Sequence, residues 1–230
     1  MDVAPRLLAA LACLAACQAA QADRFRLDYD DVVEVGDCEL EIASERHSAR
    51  GAATEREQSI QLGCGVGWRT ELVATLARQR SDGERSRAID LEAKTSLFDR
   101  PKGGIAWALD YGASTEREPP GSWRWTEHFL ALAAAYRPAE AWVIEAQLGA
   151  ARERLERRNR TIWTLAAEHE FSDLLEARAE LEGESRSRPM VNVELSYEVW
   201  PDVARINLSC GARTGRTHER RVGLGLVFEF

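Results

Sequence analysis

Apolar side chains recur at every second position along most of this chain. In the last ten residues Val222, Leu224, Leu226, Phe228 and Phe230 share one face, while Arg221, Gly223, Gly225 and Glu229 share the other. A period of two is that of a strand with one apolar and one polar or small face. Val191, Val193, Leu195, Tyr197 and Val199 oppose Asn192, Glu194, Ser196 and Glu198 in the same way. So do Leu175, Ala177, Ala179 and Leu181 against Glu176, Arg178, Glu180 and Glu182, and Ile89, Leu91 and Ala93 against Asp90, Glu92 and Lys94. The pattern predicts about twelve strands, with ten as the alternative count, over 37–47, 56–64, 68–79, 86–96, 103–114, 123–136, 140–152, 159–170, 173–184, 188–198, 202–213 and 219–230.

The connections sort into two kinds. Those after even strands are compact, at 65–67, 99–103, 137–139, 172–173 and 200–202. Those after odd strands read as longer and charged, as at 81–85, 115–121 and 154–159. Trp68, Tyr136, Trp142, Phe171, Trp200 and Phe230 fall at the compact-turn ends, with Trp123 and Trp125 at the other. A helical reading competes over 127–156 and 163–184, which are rich in Ala, Leu, Glu and Arg. Against it stand β-branched and aromatic runs at 141–144 and 161–164 and turn signals too frequent for long helices.

A final strand ending on Phe230, with Phe228 two residues before it, resembles the closing strand of Gram-negative outer-membrane β-barrels. The resemblance implies an all-β, antiparallel, up-and-down transmembrane barrel. It also implies that Phe228 and Phe230 form part of the assembly signal read by the barrel-assembly machinery. Outer-membrane lipid and lipopolysaccharide are the surroundings it implies. Short turns on one rim, longer loops on the other and aromatic girdles agree with that architecture.

Composition narrows this. Mean hydropathy is −0.37 over 230 residues, and the formal net charge is −8. A membrane reading must therefore rest on strands, which need an apolar residue only at alternate positions. A net-acidic chain has no basic footprint for nucleic acid. Residues 1–22 read as an export signal, with an apolar run from Leu7 to Cys17 and a small-x-small site ending at Ala22. Residues 14–17 also match a lipobox, so lipoprotein cleavage before Cys17 is the alternative to cleavage after Ala22. Residues 23–36 read as a periplasmic lead-in and 37–230 as the barrel.

Three constellations carry candidate chemistry. Pairing Leu40 with Leu62 and Ile42 with Ile60 sets Cys38 opposite Cys64, which in an oxidising compartment favours a disulfide over two thiols. The same register sets Glu45 against Glu57. The second is the inward parity, which collects Glu39, Glu41, Glu71, Asp90, Glu92, Asp110, Glu145, Glu168, Glu176, Glu180, Glu182, Glu194, Glu198 and Glu229, with Lys94, Arg178 and Arg205 as bases and Arg69 and Arg160 beside them. An acidic wall of that kind fits a pore for small cations or neutral solutes, or a closed interior in which charges pair. The third is the histidines, His47, His128, His169 and His218, which share no metal-ligand spacing. Adjacent residues of a strand face opposite ways, so residues 46–48 do not form a nucleophile–base pair. No catalytic residue, metal or cofactor is expected. A channel leads, a closed barrel contacting lipopolysaccharide or a partner is the alternative, and a lipid-modifying enzyme ranks third.

Overall fold

The computed structural model describes residues 35–98, 104–118, 120–154, 157–215 and 219–230. The export signal and all but the last two residues of the lead-in lie outside them. Twelve strands form: β1 (Cys38–His47), β2 (Glu55–Gly67), β3 (Thr70–Ser81), β4 (Glu84–Ser96), β5 (Ile105–Arg117), β6 (Arg124–Ala139), β7 (Trp142–Glu153), β8 (Arg158–Ser172), β9 (Leu175–Glu184), β10 (Met190–Trp200), β11 (Ala204–Arg213) and β12 (Arg220–Glu229). Each pairs antiparallel with its sequence neighbours, and β1 pairs with β12 to close the barrel. Residues 127–156 and 163–184 are strand, not helix, wherever they are described and lie outside a turn. Burial alternates most clearly along β2, β3 and β7. On β2, Ile60 and Leu62 point outward and are exposed, while Glu57 and Gly63 point inward and are buried.

Both chain ends of the barrel meet at one rim. The Cys38 N–H donates to the Phe230 carbonyl at 2.8 Å, and the Phe230 N–H donates to the Cys38 carbonyl at 3.0 Å. On the inward side of this seam Arg205 of β11 reaches Glu229 of β12 and Glu39 of β1, each at 2.8 Å. On the outward side Cys38 and Cys64 are joined by a disulfide, in the predicted register with Leu40 opposite Leu62 and Ile42 opposite Ile60. Cys210 takes no part in it and stands on the outward face between Val193 and Val222. The end of the lead-in rests here too, Val35 bridging to Gly65 of β2.

The predicted connections need two corrections. Residues 65–67 continue β2, and the chain reverses at Trp68 and Arg69, both at positive φ (52° and 55°). Primed turns of this hand match the strand twist, and Gly or Asn usually supplies the left-handed backbone; here two bulky residues do so, with Trp68 98% exposed. Arg69 is therefore a turn residue and does not join the inward face. The predicted charged loop at 81–85 is a two-residue hairpin, Asp82 and Gly83 at φ 47° and 87°. Aspartate followed by glycine is a strong primed-turn pair, and its local preference outweighs the charges around it. The 99–103 connection lies outside the described residues.

Candidate functional site: the inward wall

Apart from Arg69, register places the predicted wall residues on strands of known pairing, and small neighbours decide how far each side chain reaches. On one flank Lys94 of β4 stands between Glu71 of β3 and Asp110 of β5. Asp110 is 0% exposed and accepts a 2.9 Å hydrogen bond from the Gln147 amide of β7, across the intervening β6. That reach is open because β6 presents only Ala131, Ala133 and Ala135 there, all buried. Glu92 lies between Val73 and Gly112, and Asp90 between Thr75 and Ser114.

The other flank is built on Arg178 of β9, 3% exposed. Its guanidinium lies 2.5 Å from Glu145 of β7, 3.5 Å from Glu168 of β8 and 3.4 Å from Glu180 on its own strand. Ala166 of β8 sits between Glu145 and Glu180 in register and leaves room for the long side chain to lie along the wall. Glu180 also accepts from the Asn192 amide at 3.2 Å. Glu194 stands opposite Arg178, Glu176 opposite Ser196 and Glu198 opposite Arg205. Glu41 lies opposite Gln61 and packs against Gly225, where a Cβ would come within 2.7 Å of its carboxylate. A recess of about 290 Å³, counting the solvent it opens to, is lined by Arg178, Glu180, Asn192, Glu194, Ser209 and Arg221.

Nearer the loop rim the charges pair in short links. Arg160 bonds Glu127 and Glu184 from β8, between β6 and β9. Arg221 meets Glu182 at 2.5 Å, and Arg213 meets Glu219 at 2.6 Å. Glu45 and Glu57 face each other as predicted, and both have a donor: His47 lies 3.3 Å from Glu45, and Gln79 donates to Glu57 at 2.6 Å. Those donors spread the repulsion expected of like charges in a cross-strand pair.

Several wall residues escaped sequence reading. Gln147 and Asn192 are neutral, so charge did not flag them. Phe129 faces inward, its ring packed where a Cβ on Gly112 would be 2.6 Å away; strict alternation along β6 would have placed it. His169 faces outward, stacked on Trp142 at 4.4 Å and edge-on to Phe171 at 4.6 Å, so it belongs to the aromatic rim. His218 lies outside the described residues. Among the described residues no group of three His, Cys, Asp or Glu could hold a metal ion.

A closed antiparallel barrel with an apolar outward face, aromatic rims and a polar interior is the fold of outer-membrane β-barrels. The chain belongs to the family described as uncharacterised conserved protein UCP029691, which its residues 7–193 match. No curated protein matches the chain. Among solved structures it resembles the KdgM porin at 13% identity and a TM-score of 0.60, covering 83% of this chain and 99% of that one. It also resembles the COG4313 outer membrane channel from Pseudomonas putida F1, at 12% identity and 0.61, covering 90% and 100%. A third is the outer membrane phospholipase A from Escherichia coli, at 12% and 0.54, covering 91% and 94%. At these identities the likeness establishes the fold.

Proposed function

We propose that the barrel lies in the outer membrane and passes small cations and neutral solutes, disfavouring anions. The structural likeness to a porin and a channel supports the placement. The observation that carries the selectivity is the inward charge of β9 and β10. There Glu176, Glu180 and Glu194 face inward around Arg178, while Glu182, Glu184 and Glu198 stand beside Arg221, Arg160 and Arg205 of neighbouring strands. Carboxylates in excess of bases cannot stay charged in a dry interior; water, a cation or a proton must accompany them. A wet lumen satisfies that need without a dedicated partner, and its field attracts cations. One porin structure is titled as a complex with oligogalacturonate, a polyanion. An acidic wall argues that this ligand class does not carry over.

A closed barrel is the second reading, favoured by the burial of Arg178 and Asp110 at the heart of the wall. Planar-bilayer recording separates the two. The channel reading expects conductance with cation preference, weakened when Glu176, Glu180 and Glu194 are together changed to Gln. Folded protein that does not conduct, or that prefers anions, overturns it; silence in a folded barrel leaves the closed reading.

A further inference from the structure

The outward face near the loop rim carries rows of arginine that the inward wall does not use. Arg46 of β1, Arg56 of β2, Arg80 of β3 and Arg85 of β4 stand directly opposite one another across four adjacent strands. One pleat further from the rim, Arg78, Arg87 and Arg117 form a second row over β3, β4 and β5. All seven are exposed. With strands about 4.8 Å apart, the first row spans roughly 14 Å. The outward strand positions around them hold Ser44, Gln58 and Thr115 and no carboxylate. The ion pairs seen among the described residues lie on the inward face or at the turns, away from these rows.

Like charges placed directly across a ladder repel. Seven in two adjoining rows is an arrangement that an anion with several charges would relieve. The position narrows the choice of anion. Moving away from the rim, the same outward faces become apolar at Ile42, Ile60, Leu76 and Leu91, all exposed. The guanidinium groups therefore sit where an apolar belt ends, which in a bilayer is headgroup level. At the opposite ends of the same strands the outward positions are Leu40, Leu62, Cys64 and Leu72, so the charge belongs to one leaflet only. Arginine binds phosphate bidentately, and its aliphatic stem suits the belt beneath it.

We propose that this face binds the phosphate groups of the phosphorylated glycolipid that forms the outer leaflet, through the Arg46–Arg56–Arg80–Arg85 row. The proposal rests on the outer-membrane placement above but not on conductance, because the rows face away from the lumen.

The test uses the full-length barrel purified in detergent. It is incubated with bisphosphorylated lipid A or with the dephosphorylated glycolipid, and retained lipid is read by native mass spectrometry. Retention of the phosphorylated form is expected to exceed the other by about tenfold or more. The combined change Arg46→Gln, Arg56→Gln, Arg80→Gln and Arg85→Gln should remove most of that difference, while heat-modifiable mobility and bilayer conductance stay as in the parent. If the fourfold variant does not fold, Arg56→Gln with Arg80→Gln is measured instead and should lower retention in the same direction. Equal retention of both lipids, unchanged retention in the variant, or displacement of the lipid by a soluble anionic oligosaccharide overturns the proposal. Fractionation outside the outer membrane would instead refute the placement, and a parent that binds lipid A but does not conduct would refute only the channel.

Discussion

The two rims of this barrel are held together by different physics. At the short-turn rim the closing seam has covalent, backbone and ionic ties within a few residues: the Cys38–Cys64 disulfide, the paired hydrogen bonds between Cys38 and Phe230, and the Arg205 bridge to Glu39 and Glu229. Trp68, Trp142, Phe171 and Trp200, all exposed, are spread around the same rim. At the loop rim the seam has its own backbone pair, Ser48 and Arg220 bonding each other at 3.0 and 2.8 Å, but the added side-chain ties are ion pairs, through Arg160, Arg213 and Arg221, and the nearby outward face is charged. A disulfide does not respond to salt or mild acid. Partly exposed ion pairs respond to both. One end is therefore built to fix register and closure, and the other to respond to its surroundings.

The sharpest way to break this contrast is at the seam. Deleting Phe230 removes both hydrogen bonds to Cys38 and the last aromatic of the rim. We expect loss of most folded, heat-modifiable barrel, and an undiminished yield would contradict the seam's role. Next in size is the disulfide. Its partners lie 26 residues apart, so replacing both by Ala should cost up to about 3.5 kcal/mol by chain entropy. The β1–β2 ladder already holds the ends together, which makes that an upper figure. Denaturant midpoints measured at low and high salt should fall equally; an unchanged midpoint would remove the staple from the account.

The smallest effect belongs to the loop rim. Arg213, by hydrogen bond and then by charge, holds the Glu219 carboxyl below its ordinary range despite partial burial. A lowered folded-state pKa stabilises the protein above the usual carboxylate pKa, and that contribution is lost as pH falls through the folded value. Partial exposure keeps it under about 1 kcal/mol. Comparing the acid dependence of parent and Glu219→Gln should reveal a shallower loss in the variant, and identical curves would show that the pair does not contribute.

Much of this was readable from residue order. A two-residue period needs only local sequence, because a strand sends successive side chains to opposite faces whatever it pairs with. Twelve strands and the inward parity of residues such as Glu39, Asp110, Glu180 and Glu229 followed from that. The β1–β2 register followed from matching Leu40 with Leu62 and Ile42 with Ile60, and the cysteine pairing followed from that register. Phe129 obeys the same alternation, but as an apolar side chain it carries no charge to mark it as part of a polar wall.

What the tertiary structure alone decided has one physical root: interactions between strands that are not sequence neighbours in the ladder, or rows that build up over several registers. Gln147 reaches Asp110 across an alanine floor on β6, and Arg178 joins carboxylates of β7, β8 and β9. Neither choice of partner has a local signal. The arginine rows emerge only when the registers of β1 to β5 are laid side by side. The sequence by itself determined which face each side chain takes, because that depends on the backbone of one strand. Which charges meet was decided by closure of the barrel, because that depends on the reach of long side chains over small ones from strands two places apart.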